Sequence, residues 1–351
     1  MPCVTRRIDL NRRDFLRIAG LASAASLAPA WPSDATDYDP AACRLMEFDV
    51  SYRTAIHRLP SDKKDVRVWI PLPVEDDAQR ISHLTIDSPL PYAITREATH
   101  GSRMLHVGTT EHLKPFEVTV RYHVIRTRAG VQPATLDPAD TGPFLTLTDH
   151  VRVTDEVEAF AAECVGDATD PYDIGRRVFD GIQAILFYDS TIPGCGTGDT
   201  AWIMRHRRGK CDDYHALFMA VLISRGVPVR WEQGFPLPFP ANGQVTAGQL
   251  EGDCTGSHCW TSFYAPSHGW VPVDVSEADK AGPSGQFFFG HVSPNRFQVS
   301  VGRSITLNPA QGADPLSTFA FAYAESDGIP LIYTANYENV INYTVTRVEM
   351  S

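Results

Sequence analysis

The strongest constraint on the fold is a change of period along the chain. From Arg44 to about Arg128 the apolar residues fall in short runs, with no helix-period segment of useful length. Leu45–Tyr52, Val66–Pro71, Met104–Gly108 and Glu117–Arg126 read as strands separated by Pro, Gly, Asp and Ser clusters. Phe116 to Val124 alternates as a strand with one buried face does. Residues 44–128 are therefore expected to form a β-sandwich domain. Residues 129–149, rich in Pro, Gly, Thr and Asp, read as a linker. Helical spacing then begins with Thr154 as a possible cap. It continues from about Tyr172 to Leu186, and again from Cys211 to about Arg225, before Gly226 and Pro228. Strands follow at Val229–Phe235, His258–Ala265, Trp270–Val275 and on to Thr344–Glu349. Helices first and strands afterwards describe an α+β domain, drawn here as residues 150–351 including the C-terminal strands.

The first 30 residues have a different character. Asn11-Arg12-Arg13-Asp14-Phe15-Leu16-Arg17 is a twin-arginine pattern, a small-residue apolar stretch runs from Ile18 to Ala30, and Ala28-Pro29-Ala30 offers a cleavage site. The expectation is a signal peptide over 1–30, a linker over 31–43, and a mature protein exported by the twin-arginine pathway to the periplasm or beyond. No later stretch is apolar for the roughly 18 residues a spanning helix needs. The formal net charge is −11, and removing the first 30 residues takes away five Arg and only two Asp. Nucleic-acid binders draw affinity from a basic surface, so nucleic acid is not an expected partner.

Seven cysteines are present. Cys3 would leave with the signal, and Cys195 and Cys254 are loop candidates for a bridge of undetermined connectivity. Chemistry is concentrated around Cys211. A thiol opening a helix meets the positive end of the helix dipole, which favours thiolate. Lys210 would support that charge and Asp212 and Asp213 would oppose it, so the net sign stays open. The helix reads as amphipathic, with Tyr214, Leu217, Phe218, Val221 and Leu222 buried and Cys211 on the same face, while His215 reads as a helix-surface or supporting residue.

Downstream, His258, Trp260, Ser262 and Tyr264 share one strand face. A three-residue loop at Pro266-Ser267-His268 would pair Ala265 with Gly269 and set Asp274 diagonally from His258 on that face. A four-residue loop would put the two on opposite faces. A nucleophilic thiol needs an imidazole, and the imidazole needs a carboxylate on its far nitrogen.

Four blocks resemble the bacterial transglutaminase-like superfamily: Arg208 to Phe218, Gly226-Val227-Pro228-Val229-Arg230, His258-Cys259-Trp260, and Gly269 to Asp274. Ser276 to Lys280, Phe288-Phe289-Gly290, Asn295-Arg296 and Trp69 to Pro73 extend the likeness from about residue 45 to the C-terminus. The resemblance implies a papain-like core, with the cysteine helix packed on an antiparallel sheet. It implies Cys211 as nucleophile, His258 as general base and acid, and Asp274 as the residue orienting it. Lys210 departs from the small or polar residue expected before the cysteine, which would alter how substrate approaches. Attack on an amide or peptide carbonyl would give a thioester, released by water or by an amine. The Cys211 N–H would be one oxyanion donor, with Tyr188 or Gln183 as the second. Trp260 and Asp213 are further supporting candidates.

The expected substrate is a peptide, a protein or a cell-wall peptide. The alternatives are a protein-glutamine transamidase and a non-catalytic peptide- or glycan-binding module built on Trp202, Trp231, Trp260 and Trp270. No cofactor or metal is expected. Cys211 and His215 are spaced i, i+4, with Cys254, His258 and Cys259 downstream, but no CxxC pair or HExxH accompanies them. The glycines around Cys195 lack a phosphate loop's Gly-Lys-Ser/Thr ending and read as a flexible loop beside the site. Phe235 to Pro240 reads as an extended segment, either lining a substrate cleft or simply forming a loop.

Overall fold

The computed structural model describes residues 39–59, 65–110, 114–137, 140–239 and 250–351. The expected signal peptide and most of the expected 31–43 linker lie outside the described residues. Six strands come first: β1 (Cys43–Ile56), β2 (Val66–Pro71), β3 (Gln79–Asp87), β4 (Tyr92–Arg96), β5 (Arg103–Thr109) and β6 (Phe116–Thr127). On β6, Val118, Val120, Tyr122 and Val124 are buried, as its alternation requires. The sequence reading missed β3 and β4, which are mostly exposed along their length and lack its apolar signal.

Helices α1 (Asp155–Val165) and α2 (Pro171–Ile185) follow, the first capped by Thr154, whose hydroxyl accepts the Val157 N–H at 3.3 Å. After the two-residue β7 (Phe187–Tyr188) come α3 (Thr200–His206), β8 (Arg208–Gly209) and α4 (Cys211–Ser224). Gly226 takes φ +73° just beyond α4, where glycine ends a helix without strain. Then come β9 (Val229–Pro236), β10 (Glu251–Asp253), β11 (His258–Ala265), β12 (Gly269–Val273), α5 (Val275–Lys280), β13 (Arg296–Val301), β14 (Tyr323–Ser326), β15 (Ile329–Pro330) and β16 (Tyr337–Met350).

Two five-stranded sheets, ordered β10-β16-β1-β6-β3 and β15-β14-β2-β5-β4, enclose one apolar core. The sequence reading assigned the C-terminal strands to the 150–351 domain. Here β16 pairs antiparallel with β1 along nearly its whole length, Cys43 facing Met350 and Ile56 facing Tyr337, and β14 pairs with β2. The sandwich is thus completed by β14 and β16. Nothing local in a strand records a partner some 300 residues away.

The four-stranded sheet β12-β11-β9-β13 carries α4 on one side. Phe235 of β9 and Phe297 of β13 enter the sandwich core, with ring centroids 6.0 Å from Tyr52 and 5.9 Å from Phe48 respectively. This contact seats the site-bearing sheet on the sandwich. Helix α4 is not amphipathic as expected. Every residue from Asp213 to Leu222 is buried, because α1, α2, α3, α5, β9 and β11 all pack on it.

Gly234 marks a tight crossing. A Cβ there would lie 1.7 Å from the Phe297 carbonyl oxygen, beside the register shift between Gln298 and Ser300. Gly234→Ala should cost about 1–3 kcal/mol or more by overpacking, read as a lowered urea midpoint. An unchanged midpoint would show that β13 can move aside freely.

Candidate active site

The β11–β12 hairpin settles the register question. Ala265 pairs with Gly269 across a three-residue loop, and Thr261 with Val273. Asp274 therefore falls on the His258 side, and His258 Nε2 donates to Asp274 Oδ2 at 2.7 Å. Asp274 is not a strand residue as expected. It is the N-cap of α5, and its Oδ1 accepts the Glu277 N–H at 2.9 Å and the Ser276 hydroxyl at 3.0 Å. Arg296 adds a guanidinium, its Nη1 lying 2.6 Å from Oδ2. Burial opposes this charge, but His258 and Arg296 outweigh it and hold the carboxyl well below the ordinary carboxylate range. With Nε2 carrying the proton that faces Asp274, Nδ1 is the basic nitrogen of His258.

Cys211 opens α4 and is 4% exposed. Its thiol donates to the Cys195 carbonyl at 3.8 Å, and it lies within hydrogen-bond reach of the Cys195 and Cys259 thiols. No hydrogen bond joins it to His258 among the described residues. The Cys195 contact favours thiolate, but the Cys259 contact and burial raise the thiol well above the ordinary range. The resting thiol is therefore protonated, and the helix start does not decide its charge. The neighbouring acids are also accounted for. Asp212 pairs with Arg303, which stacks over Trp231 at 4.3 Å. Asp213 is fully buried: its Oδ1 accepts the Thr197 and Gly198 N–H groups at 2.8 and 3.0 Å, and its Oδ2 accepts the Lys210 N–H at 2.9 Å. Asp213 is thus a clamp between the Cys195 loop and the start of α4.

Of the other predicted residues, Tyr188 comes close enough to Cys211 for their charges to couple. Its N–H donates to Asp279 Oδ2 at 2.8 Å, an oxygen that also accepts the Tyr214 hydroxyl at 2.8 Å. Gln183 instead bonds within its own helix, to Phe179 O at 3.4 Å. Trp260 is fully buried and its N–H is taken by Glu232 at 2.6 Å. Its indole lies 6.0 Å from the His258 ring, with the Arg296 guanidinium over its face at 5.0 Å.

His215 is fully buried, not a helix-surface residue. Its Nδ1 donates to Cys211 O at 2.7 Å and its Nε2 accepts the Val275 N–H at 3.1 Å. That pattern fixes one neutral tautomer, and burial lowers its pKa to about 4. It ties the thiol-bearing turn to the residue after Asp274. The i, i+4 spacing from Cys211 was its only sequence signal. Glu277 was not singled out at all, yet its Oε1 lies 3.7 Å from His258 Nε2 and pairs with Lys280. His258, Asp274 and Glu277 bring ligand atoms within 4.8 Å of one another, but Arg296 and Lys280 already supply the positive charge there. All six described cysteines are free, Cys195 and Cys254 included. A depression of about 580 Å³ lined by Glu75, Gln79, Arg80 and Ile125 lies on the sandwich and contains none of these groups.

The fold is therefore α+β, an antiparallel sheet with a buried cysteine helix on a β-sandwich. Residues 158–275, which include Cys211, His258 and Asp274, match the transglutaminase-like superfamily and form a transglutaminase-like core. An uncharacterised protein of Haemophilus influenzae is 23% identical over 91% of this chain and 95% of its own length. The uncharacterised protein YebA of Bacillus subtilis is 21% identical over 38% of this chain and 19% of its own. In three dimensions the chain is similar to a candidate cysteine protease of Cytophaga hutchinsonii, with TM-score 0.53 and 16% identity over 88% of this chain and 90% of that one. Among the described residues, no helix is long and apolar enough to cross a membrane.

A raised thiol pKa means that little thiolate exists near neutrality. Iodoacetamide labelling of Cys211 should climb only on the alkaline side of an ordinary thiol's pKa of about 8.5, mapped by mass spectrometry. Fast labelling below pH ~7 would instead reveal a resting thiolate–imidazolium pair.

Proposed function

We propose that this protein is a cysteine hydrolase that cleaves an amide or peptide bond through a Cys211 thioester. The observation that carries the reading is the buried His258–Asp274 pair, 2.7 Å apart, in the same core as a thiol at the first turn of α4. In this reading the thiol proton passes to His258 Nδ1 as substrate enters, since no resting ion pair supplies a thiolate. Asp274 holds the ring and stabilises the imidazolium that forms. Sulfur attacks the carbonyl, His258 returns the proton to the leaving amine, and water then repeats the sequence on the thioester. The Cys211 N–H, at a helix position with no internal acceptor, and the Tyr188 hydroxyl meet the oxyanion. Peptides, proteins and cell-wall peptides all carry the required carbonyl.

Activity on a peptide library should vanish in Cys211→Ala. Tyr188→Phe should lower kcat by about 10²-fold with little change in KM, as loss of one oxyanion donor does. Added primary amine should leave product unchanged. Incorporation of the amine would favour the transamidase instead, and undiminished turnover in Cys211→Ala would sink both.

The same reading takes the protein as exported through the twin-arginine sequence Asn11–Arg17, followed by its apolar stretch to Ala30. N-terminal sequencing of the secreted form should begin just after Ala30, and a start that retains Arg12-Arg13 would refute the assignment.

A further inference from the structure

We propose that Cys195 and Cys211 form a reversible disulfide with each other, making the thiol pair a site of covalent modification by low-molecular-weight disulfides. The proposal rests on the hydrolase reading only in taking Cys211 as the thiol that attacks.

The two cysteines meet at the first turn of α4. The Cys195 carbonyl accepts both the Asp212 N–H, at 2.9 Å, and the Cys211 thiol, at 3.8 Å. The backbones therefore touch, and the two side chains are within hydrogen-bond reach. Cys195 Sγ is held by Ser257, 3.0 Å from its hydroxyl and 3.3 Å from its carbonyl. Cys195 is partly exposed whereas Cys211 is buried, so Cys195 is the more accessible residue of the pair.

A disulfide demands a narrow range of Cβ separation and of torsion about the S–S bond. Cys195 can meet it, because Gly194 and Gly196, at φ +63° and +119°, flank it with the freest backbone available. Asp213 anchors the loop just beyond, at Thr197 and Gly198. Cys259, the other thiol beside Cys211, lacks this latitude. It is 1% exposed, is fixed in register opposite Gln233, and lies 3.7 Å from His215 Nδ1.

The chemistry balances with one small disulfide. Cys211 gives its proton to His258 and attacks one sulfur of the small disulfide. The S–S bond breaks, and the departing thiolate takes the proton from His258. The Cys195 thiol then attacks the Cys211 sulfur of the mixed disulfide and displaces the second small thiol. Two protein thiols are oxidised, one small disulfide is reduced to two thiols, and excess thiol reverses the sequence.

The probe is oxidised glutathione added to the whole protein at neutral pH, followed by acid quench, alkylation and peptide mapping. The expected product is a Cys195–Cys211 cross-link with no glutathione left on Cys211, cleaved again by dithiothreitol. In Cys195→Ser, glutathione should instead remain on Cys211. Wild-type protein that retains glutathione on Cys211, links Cys211 to Cys259, or leaves Cys211 unmodified overturns the proposal, whether or not the variant folds. The mapping reads sulfur connectivity and needs no turnover, so its failure is distinct from an absence of hydrolase activity. Where hydrolysis is present, it should be lost with the cross-link and return on reduction.

Discussion

Asp274 Oδ2 accepts from both His258 and Arg296, while its Oδ1 accepts from Ser276 and the Glu277 N–H, so two strands and a helix start converge on one fully buried carboxylate. Taking such a charge out of water is costly, and it is tolerated because every side of it meets a donor. Removing Arg296 would take away the guanidinium that faces this buried carboxylate. Asp274 also follows β12 and caps α5, so local geometry and electrostatics are set together. His215 extends the arrangement to the cysteine helix by joining the Cys211 carbonyl to the Val275 N–H. The distance between thiol and imidazole is thus governed by the His215 bonds as well as by the bond between His258 and Asp274.

Around the thiol, the charges that could disturb it are each neutralised by a specific neighbour. Arg303 takes Asp212, and four donors from the loop and the helix start take Asp213. What remains beside Cys211 is sulfur, carbonyl oxygen and apolar surface. Such surroundings favour a neutral thiol until another group removes its proton.

Much of this was legible because the relevant signals are local. The β11 alternation and the short β11–β12 loop narrowed Asp274 to two placements, and the three-residue loop chooses the His258 side. Thr154 and Gly226 marked helix ends from their own chemistry. What escaped depended on distant partners. His215 is a polar residue whose sequence read as helix surface or support, and the packing of α1, α2, α3, α5, β9 and β11 around α4 buries it. Helix α3, about two turns capped by Asp199, is too short for periodicity to show. Trp260 read as a supporting candidate, but its N–H is bound to Glu232 on the neighbouring strand, a pairing the register sets and the motif does not.

The pairing of β1 with β16 has a consequence for how the chain comes to be folded. In chain order β1 is followed closely by β6, but the partner of its other edge, β16, is made some 300 residues later. During that interval it exposes a strand edge of the kind that invites pairing with other chains. Closing it brings together the most distant parts of the described chain, a long-range contact of the sort that slows folding. The sandwich therefore acts as a completion check, because a chain stopped short of Tyr337 cannot close its sheet however well its cysteine core has formed.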